Sequence, residues 1–201
     1  MSFFENTRKP VGFGGKLMVA MMNVGHSAVA RWGLRFLNVA PDARVLDCGC
    51  GGGANIRRLL KKCPQGIVKG IDYSPVSVEK SKKVNEAAIA EGRCAVLQGS
   101  VADMMFADDW FDAATAFETV YFWPDLPRCF REVYRMLKPG GTFLICNESN
   151  GDSDRDEKWT EIIGGMTIYK DIELKAYLEQ TGFHEVQIHK KKSWLCITAR
   201  K

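Results

Sequence analysis

The chain has 201 residues, 46% hydrophobic and 26% charged, the composition of an ordinary folded domain and not of a disordered one. A net charge of +4 marks no nucleic-acid binder unless the basic residues share one face, and no apolar run approaches the roughly 20 residues that a bilayer span needs. Seven cysteines at irregular spacing, with no Cys-x-x-Cys, read as reduced thiols acting as small buried hydrophobes. Glu5, Arg8 and Lys9 precede the short apolar run at 17–22 without a cleavage pattern, so no secretory leader is expected and the cytoplasm is the expected compartment.

In chain order, residues 14–37 carry Met18, Met21, Met22, Val29, Trp32 and Leu37 at helical spacing, interrupted at 23–25. From residue 42 short apolar runs alternate with helical stretches. Strands are predicted at 43–48, 67–72, 94–98, 111–117 and 142–147, and helices at 54–63, 75–91, 126–137 and 171–181. Ser74 caps the second helix, with Pro75 at its first position. Lys138-Pro139-Gly140-Gly141 ends the third. Residues 152–165 form an acidic excursion. A hairpin of 185–189 and 194–199 around a Lys190-Lys191-Lys192 turn closes the chain. This alternation predicts an α/β, doubly wound, mostly parallel sheet with helices on both faces and an antiparallel strand from the hairpin. Ligands in such sheets lie beyond the carboxyl ends of the strands, which directs attention to 47–53, 72–74, 98–103, 117–124 and 147–152.

Asp47-Cys48-Gly49-Cys50-Gly51-Gly52-Gly53 stands where the first strand turns into the first helix. Glycines there allow tight turns and close approach of a ligand. Gly49-x-Gly51-x-x-Ala54 also satisfies the dinucleotide fingerprint. Asp47 argues against a dinucleotide, because two like charges about 4 Å apart repel by up to roughly 4 kcal/mol at an effective dielectric near 20. A carboxylate at that mouth suits a cationic ligand; its other role is to tie the loop to its own backbone. Asp72 follows the glycines by about 20 residues, the spacing at which a carboxylate accepts from a ribose diol. Tyr73 beside it either lies against an adenine face or is a partly exposed strand-end tyrosine.

With VLDCGCGGG (45–53), GIDYS (70–74), LQGSVADMMFADDWFD (97–112) and LKPGGTFLICNE (137–148), the chain resembles the class I S-adenosylmethionine-dependent methyltransferases of the small stand-alone type. The resemblance implies seven strands in the order 3-2-1-4-5-7-6 with strand 7 antiparallel. It divides the chain into an N-terminal helical lid (1–40), a cofactor-binding core (41–148) and a substrate-side excursion with the closing hairpin (149–201), within one domain. Asp47 and the backbone of Cys48, Gly49, Cys50 and Gly51 would hold the methionine end, Asp72 the ribose, and Tyr73 the adenine. Where the family often has Gly-Asp after strand three, this chain reads Gly99-Ser100. Ser100, the amide of Val101, or Asp103 would then meet the adenine, with Phe117 and Glu118 completing the cofactor contacts.

Methyl transfer is an in-line displacement in which alignment alone is worth roughly 7–11 kcal/mol, and a base is needed only when the acceptor must lose a proton. His26, Glu118 and Tyr121 are the candidate catalytic residues. His26 is equally a structural histidine by type, and Phe122 and Trp123 either wall an acceptor pocket or pack the next helix. Asp152, Asp154, Asp156, Glu157 and Glu161 either face the acceptor or form a solvated face. No His-x-x-x-His and no compact carboxylate trio stands out, so no metal is expected. The expected partner is a small-molecule methyl acceptor, with no nucleic acid and no membrane, in a monomer or homodimer. The alternatives are a non-catalytic cofactor-binding module, or an enzyme acting on protein or RNA.

Overall fold

The computed structural model describes residues 25–201. Met18, Met21, Met22 and Asn23 of the expected lid lie outside the described residues. Seven strands build one sheet: β1 (Arg44–Cys48), β2 (Ile67–Asp72), β3 (Cys94–Gln98), β4 (Phe111–Phe117), β5 (Leu137–Asn147), β6 (His184–Lys191) and β7 (Trp194–Arg200). Their order is 3-2-1-4-5-7-6. Strands β1 to β5 run parallel, and β7 lies antiparallel between β5 and β6. Seven α-helices accompany them among the described residues: α1 (Ser27–Gly33), α2 (Ala54–Lys62), α3 (Pro75–Val84), α4 (Glu86–Ala90), α5 (Leu126–Met136), α6 (Asp154–Ile162) and α7 (Asp171–Thr181).

The two faces of the sheet follow from the two-residue period of a strand. Leu46 of β1, Phe143 and Ile145 of β5 and Ile197 of β7 join Phe130 and Val133 of α5 and Leu174 and Leu178 of α7 in one buried layer. Val45, Val68, Leu144 and Cys146 join Val29 of α1 and Ile56 and Leu59 of α2 in the other. Burying such side chains contributes about 1.5–3 kcal/mol each, which fixes the register of every strand. The described part of the expected lid is thus core: Val29 and Ala30 are buried against the sheet. All seven cysteines are buried and free, as small hydrophobes would be.

Four local expectations change. The helix at 75–91 breaks at Asn85, whose buried amide donates to the carbonyls of Gly53 (3.1 Å) and Ser81 (2.9 Å) and so ties the glycine loop to α3. Strand β5 begins at Leu137, because Gly140 and Gly141 pair with the backbone of Lys201. Lys190 and Lys191 belong to β6, and the turn falls at Lys192, where φ is +57°. The acidic excursion contains α6, and two of its carboxylates serve the fold: Asp152 pairs with Lys190 at 3.1 Å, and Asp156 accepts from the Gly151 amide at 2.9 Å.

Candidate active site

A cavity of about 410 Å³ opens beyond the carboxyl ends of β1, β2 and β4. That volume falls in the range of small-molecule sites. Its floor is the glycine loop, whose amides are already committed. Gly49 and Cys50 both donate to the Ile71 carbonyl, at 2.8 and 3.0 Å, and Gly51 donates to Asp72 at 2.9 Å. The loop therefore supplies close approach rather than a row of donors. Gly49 is required on two counts: φ is +73°, and a Cβ there would stand 2.0 Å from the Thr119 hydroxyl. Gly51, also at positive φ, faces open space.

Asp72 lines the cavity and is clamped by two amides, Gly51 on one carboxylate oxygen and Ser74 on the other, both at 2.9 Å. Each oxygen keeps acceptor capacity for a hydroxyl, the need of a ribose diol. Burial holds Asp72 above the ordinary carboxylate range, although both amides pull it down. Tyr73, 38% exposed, lines the same wall with Ser100 and Val101. The Ser100 hydroxyl accepts from the Ala102 amide at 3.2 Å, so part of its capacity is spent within its own turn. Asp103 is exposed and is absent from the cavity lining.

The side chains of two residues expected at the methionine end lie beneath the loop, which for Cys48 leaves its expected backbone role untouched. Cys48 points into the core layer of Leu46 and Phe130. Asp47 is 1% exposed and accepts from the Thr115 hydroxyl at 2.8 Å, because strand alternation turns it away from the mouth. Its second carboxylate oxygen is buried without a partner. Burial pushes its pKa up to about 7, against the pull of Thr115. The carboxylate therefore acts on the cavity from below, not as a wall across its entrance.

Sequence inspection missed Arg58 as a site residue, reading it only as one of a basic cluster on the first helix. Its guanidinium lines the cavity, held by the Ser27 hydroxyl of α1 and the Asn55 side chain, both at 2.7 Å. The available signal was its place on α2 opposite Ile56, Leu59 and Leu60, one turn beyond the glycines.

The far end of the cavity gathers His26 and Glu118. Glu118 leaves β4 at φ +56°, a conformation costing a non-glycine residue about 1–3 kcal/mol and typical of functional sites. Its amide donates to the Cys146 carbonyl at 3.0 Å, and one carboxylate oxygen accepts a short hydrogen bond from the Glu148 amide. Burial pushes its pKa up to about 8, partly offset by His26. His26 Nδ1 stands 3.4 Å from Glu148 and 3.8 Å from Glu118. Burial alone lowers the imidazole pKa, but the two carboxylates outweigh it and hold the ring above its usual value.

Phe117, Phe122, Trp123 and Pro124 wall this end, while Trp123 also packs edge-on against Phe130 of α5 and stacks on Phe143 of β5. Tyr121 is buried, is absent from the cavity lining, and binds the Ser149 backbone through its hydroxyl, accepting at 3.0 Å and donating at 3.3 Å, with the Glu118 carboxylate beside it. It positions the exits of β4 and β5. Glu148, named in the sequence only within a longer string, completes a trio with His26 and Glu118 whose ligand atoms lie within 4.8 Å of one another. A compact trio thus exists where none was legible.

Residues 46–145 match the family described as methyltransferase domain. Cycloartenol-C-24-methyltransferase 1 of Oryza sativa subsp. japonica is 35% identical over 109 residues, which are 54% of this chain and 31% of that protein. The 24-methylenesterol C-methyltransferase 3 of Arabidopsis thaliana is 28% identical over 162 residues, 75% of this chain and 44% of that one. The chain thus spans about a third to under half the length of these curated relatives. Among solved structures, a chain of the Haloferax volcanii complex between the Trm112 methyltransferase activator and a methyltransferase superposes with a TM-score of 0.80 at 21% identity, covering 90% of this chain and 92% of that one. Phosphoethanolamine N-methyltransferase 2 of Haemonchus contortus, solved with phosphomonomethylethanolamine and S-adenosylhomocysteine, also gives 0.80, at 15% identity over 100% of this chain and 61% of that one. At these identities the structural likeness concerns the fold.

Proposed function

As a member of the class I S-adenosylmethionine-dependent methyltransferases, this chain, we propose, moves the sulfonium methyl group onto an O, N or S atom of a small-molecule acceptor. The observation that carries this reading is one cavity running from the clamped carboxylate of Asp72 to the His26–Glu118 pair across the glycine loop. Asp72 accepts the ribose hydroxyls, Tyr73, Ser100 and Val101 border the adenine, and Gly49 to Gly51 flank the methionine chain. Arg58 meets its carboxylate, and Asp47 attracts its ammonium from beneath. Phe117 and Glu118 then face the sulfonium methyl.

Alignment of acceptor and methyl carbon, with water excluded by Phe122 and Trp123, supplies most of the acceleration. His26 and Glu118 hold the acceptor and take up its proton; such a group contributes about 10²–10⁴-fold. The product is S-adenosylhomocysteine. The named sterol relatives are C-methyltransferases, so they support a small-molecule acceptor but not the O, N or S atom, and the cavity volume agrees with an acceptor of modest size. Buried free thiols agree with work in the reducing cytoplasm; the reading is completed by a monomer or homodimer acting without nucleic acid or membrane. Among the described residues no helix is long and apolar enough to cross a membrane.

The test is incubation with methyl-labelled S-adenosylmethionine and a fractionated cell extract. Saturable transfer of label into the small-molecule fraction is expected. Glu118→Gln should lower it about 100-fold while leaving S-adenosylhomocysteine affinity within about threefold. Label confined to the protein or RNA fraction would overturn the small-acceptor reading, and no transfer to any fraction would favour a non-catalytic module.

A further inference from the structure

We propose that His26, Glu118 and Glu148 bind a divalent transition-metal ion, and that the acceptor's oxygen or sulfur coordinates it. The inference rests on the reading above, that the acceptor enters at this end of the cavity. The three residues come from distant parts of the chain: just before α1, just after β4 and just after β5. Each offers one ligand atom, and all three atoms lie within 4.8 Å of one another.

The distances suit an ion better than internal hydrogen bonds. His26 Nδ1 lies 3.4 Å from Glu148 Oε2 and 3.8 Å from Glu118 Oε2, beyond the usual 2.7–3.2 Å of an N–H···O bond. Among the described residues that nitrogen is buried and makes no hydrogen bond of good geometry. A tetrahedral ion with bonds of about 2.0–2.1 Å spaces its ligand atoms by about 3.3 Å. The two distances from His26 are within about 0.5 Å of that spacing, so the trio needs only local side-chain adjustment to form one triangular face of such a site.

The surroundings orient the donors. The Glu148 amide binds Glu118 Oε1, so that Oε2 is the oxygen facing His26. A hydrogen bond that fixes a ligating carboxylate in this way is a regular feature of metal sites. One imidazole with two carboxylates favours Zn²⁺, Fe²⁺ or Mn²⁺ over Mg²⁺ or Ca²⁺, which prefer all-oxygen shells, and over Cu(I), which prefers thiolate. His26 and Glu118 line the cavity, so a fourth ligand enters from there.

The chemistry follows from that open position. With the ion bound, His26 and Glu118 serve as ligands and no longer as proton acceptors; a hydroxyl or thiol on the ion instead loses its proton to buffer at a lower pH than in water. Its lone pair then attacks the methyl carbon, the carbon–sulfur bond breaks, and those electrons remain on the thioether sulfur. The substrate class is thus an alcohol, phenol or thiol small enough to share the cavity with the cofactor.

The full-length protein, stripped with a chelator and saturated with S-adenosylhomocysteine, is titrated calorimetrically with Zn²⁺ and with Mn²⁺. One ion per chain is expected for at least one of them, bound at least 30-fold more weakly by His26→Ala and by Glu148→Gln. Both variants should keep S-adenosylhomocysteine affinity within threefold, which shows that they are folded. Co²⁺ in the same site should give d–d bands without thiolate charge transfer, which excludes the cysteines. No saturable binding of either ion, or equal binding in wild type and both variants, overturns the proposal and leaves the trio as an imidazolium held by two carboxylates. In that event retained S-adenosylhomocysteine binding preserves the methyltransferase reading, whereas its loss in the wild type would sink that reading separately.

Discussion

The two ends of the cavity are built on opposite principles. At the Asp72 end the polar groups are paired before any ligand arrives: Gly49 and Cys50 bond to Ile71, and Gly51 and Ser74 clamp Asp72. At the His26 end they are not: among the described residues Nδ1 is buried without a hydrogen bond of good geometry, two carboxylates crowd it, and Glu118 holds a left-handed backbone. A finished site binds one constant partner with little reorganisation. An unfinished one stores the cost until its partner supplies the missing charge or hydrogen bond.

The largest expected effect comes from disturbing the finished end. Gly49→Ala places a Cβ against Thr119 and keeps the left-handed φ, which together cost about 2–5 kcal/mol. Thermal melting should fall by roughly 5–15 °C for a chain of this size. Gly51→Ala, with open space at its Cβ, should cost only about 1–2 kcal/mol. Equal losses in the two variants would mean that Thr119 yields freely and that the loop is less constrained than its geometry indicates.

A smaller effect concerns Asp47, whose second carboxylate oxygen has no partner among the described residues. Its folded pKa of about 7 lies above the ordinary 3.8, so between these values the cofactor-free fold binds more protons than the unfolded chain. Stability without cofactor therefore falls as pH rises from about 4 to 7. Cofactor affinity runs the other way, rising by up to about tenfold from pH 6 to pH 8 as the carboxylate ionises. Asp47→Asn should flatten both profiles, raise the melting temperature of the free protein at pH 8, and weaken cofactor binding there. An unchanged affinity profile in Asp47→Asn would assign the pH dependence elsewhere.

The smallest effect separates positioning from chemistry. Tyr121→Phe removes hydrogen bonds to the Ser149 backbone, worth about 1 kcal/mol of stability. The variant should keep its cofactor affinity, and any loss of turnover should be far below that of Glu118→Gln. A loss matching Glu118→Gln would return Tyr121 to the reacting groups.

The contrast between the two ends also explains what the sequence made legible. The cofactor end lies within 47–74, where a strand, a glycine turn and a second strand end follow one another, so Asp72 and the glycines could be placed by counting. Strand order followed from the same alternation together with the family resemblance. Asp47 was misplaced because its two-residue period, the rule that buries Val45, also turns it beneath the loop. Arg58 was hidden because nothing in its own segment reports the Ser27 hydroxyl that holds it. The His26 end escaped more fully: His26, Glu118 and Glu148 meet through the packing of α1 on the sheet beside Cys146. Asn85 broke a helix for a tertiary reason as well, its bond to the Gly53 carbonyl.

Calorimetric titration of the full chain with S-adenosylhomocysteine, with NADH as the competing ligand, tests the assignment of this cavity most directly. One S-adenosylhomocysteine per chain is expected, with Asp72→Ala weakening it at least about 100-fold, since two charge-assisted hydrogen bonds contribute about 1.5–3 kcal/mol each. Saturable binding of NADH without binding of S-adenosylhomocysteine would contradict it.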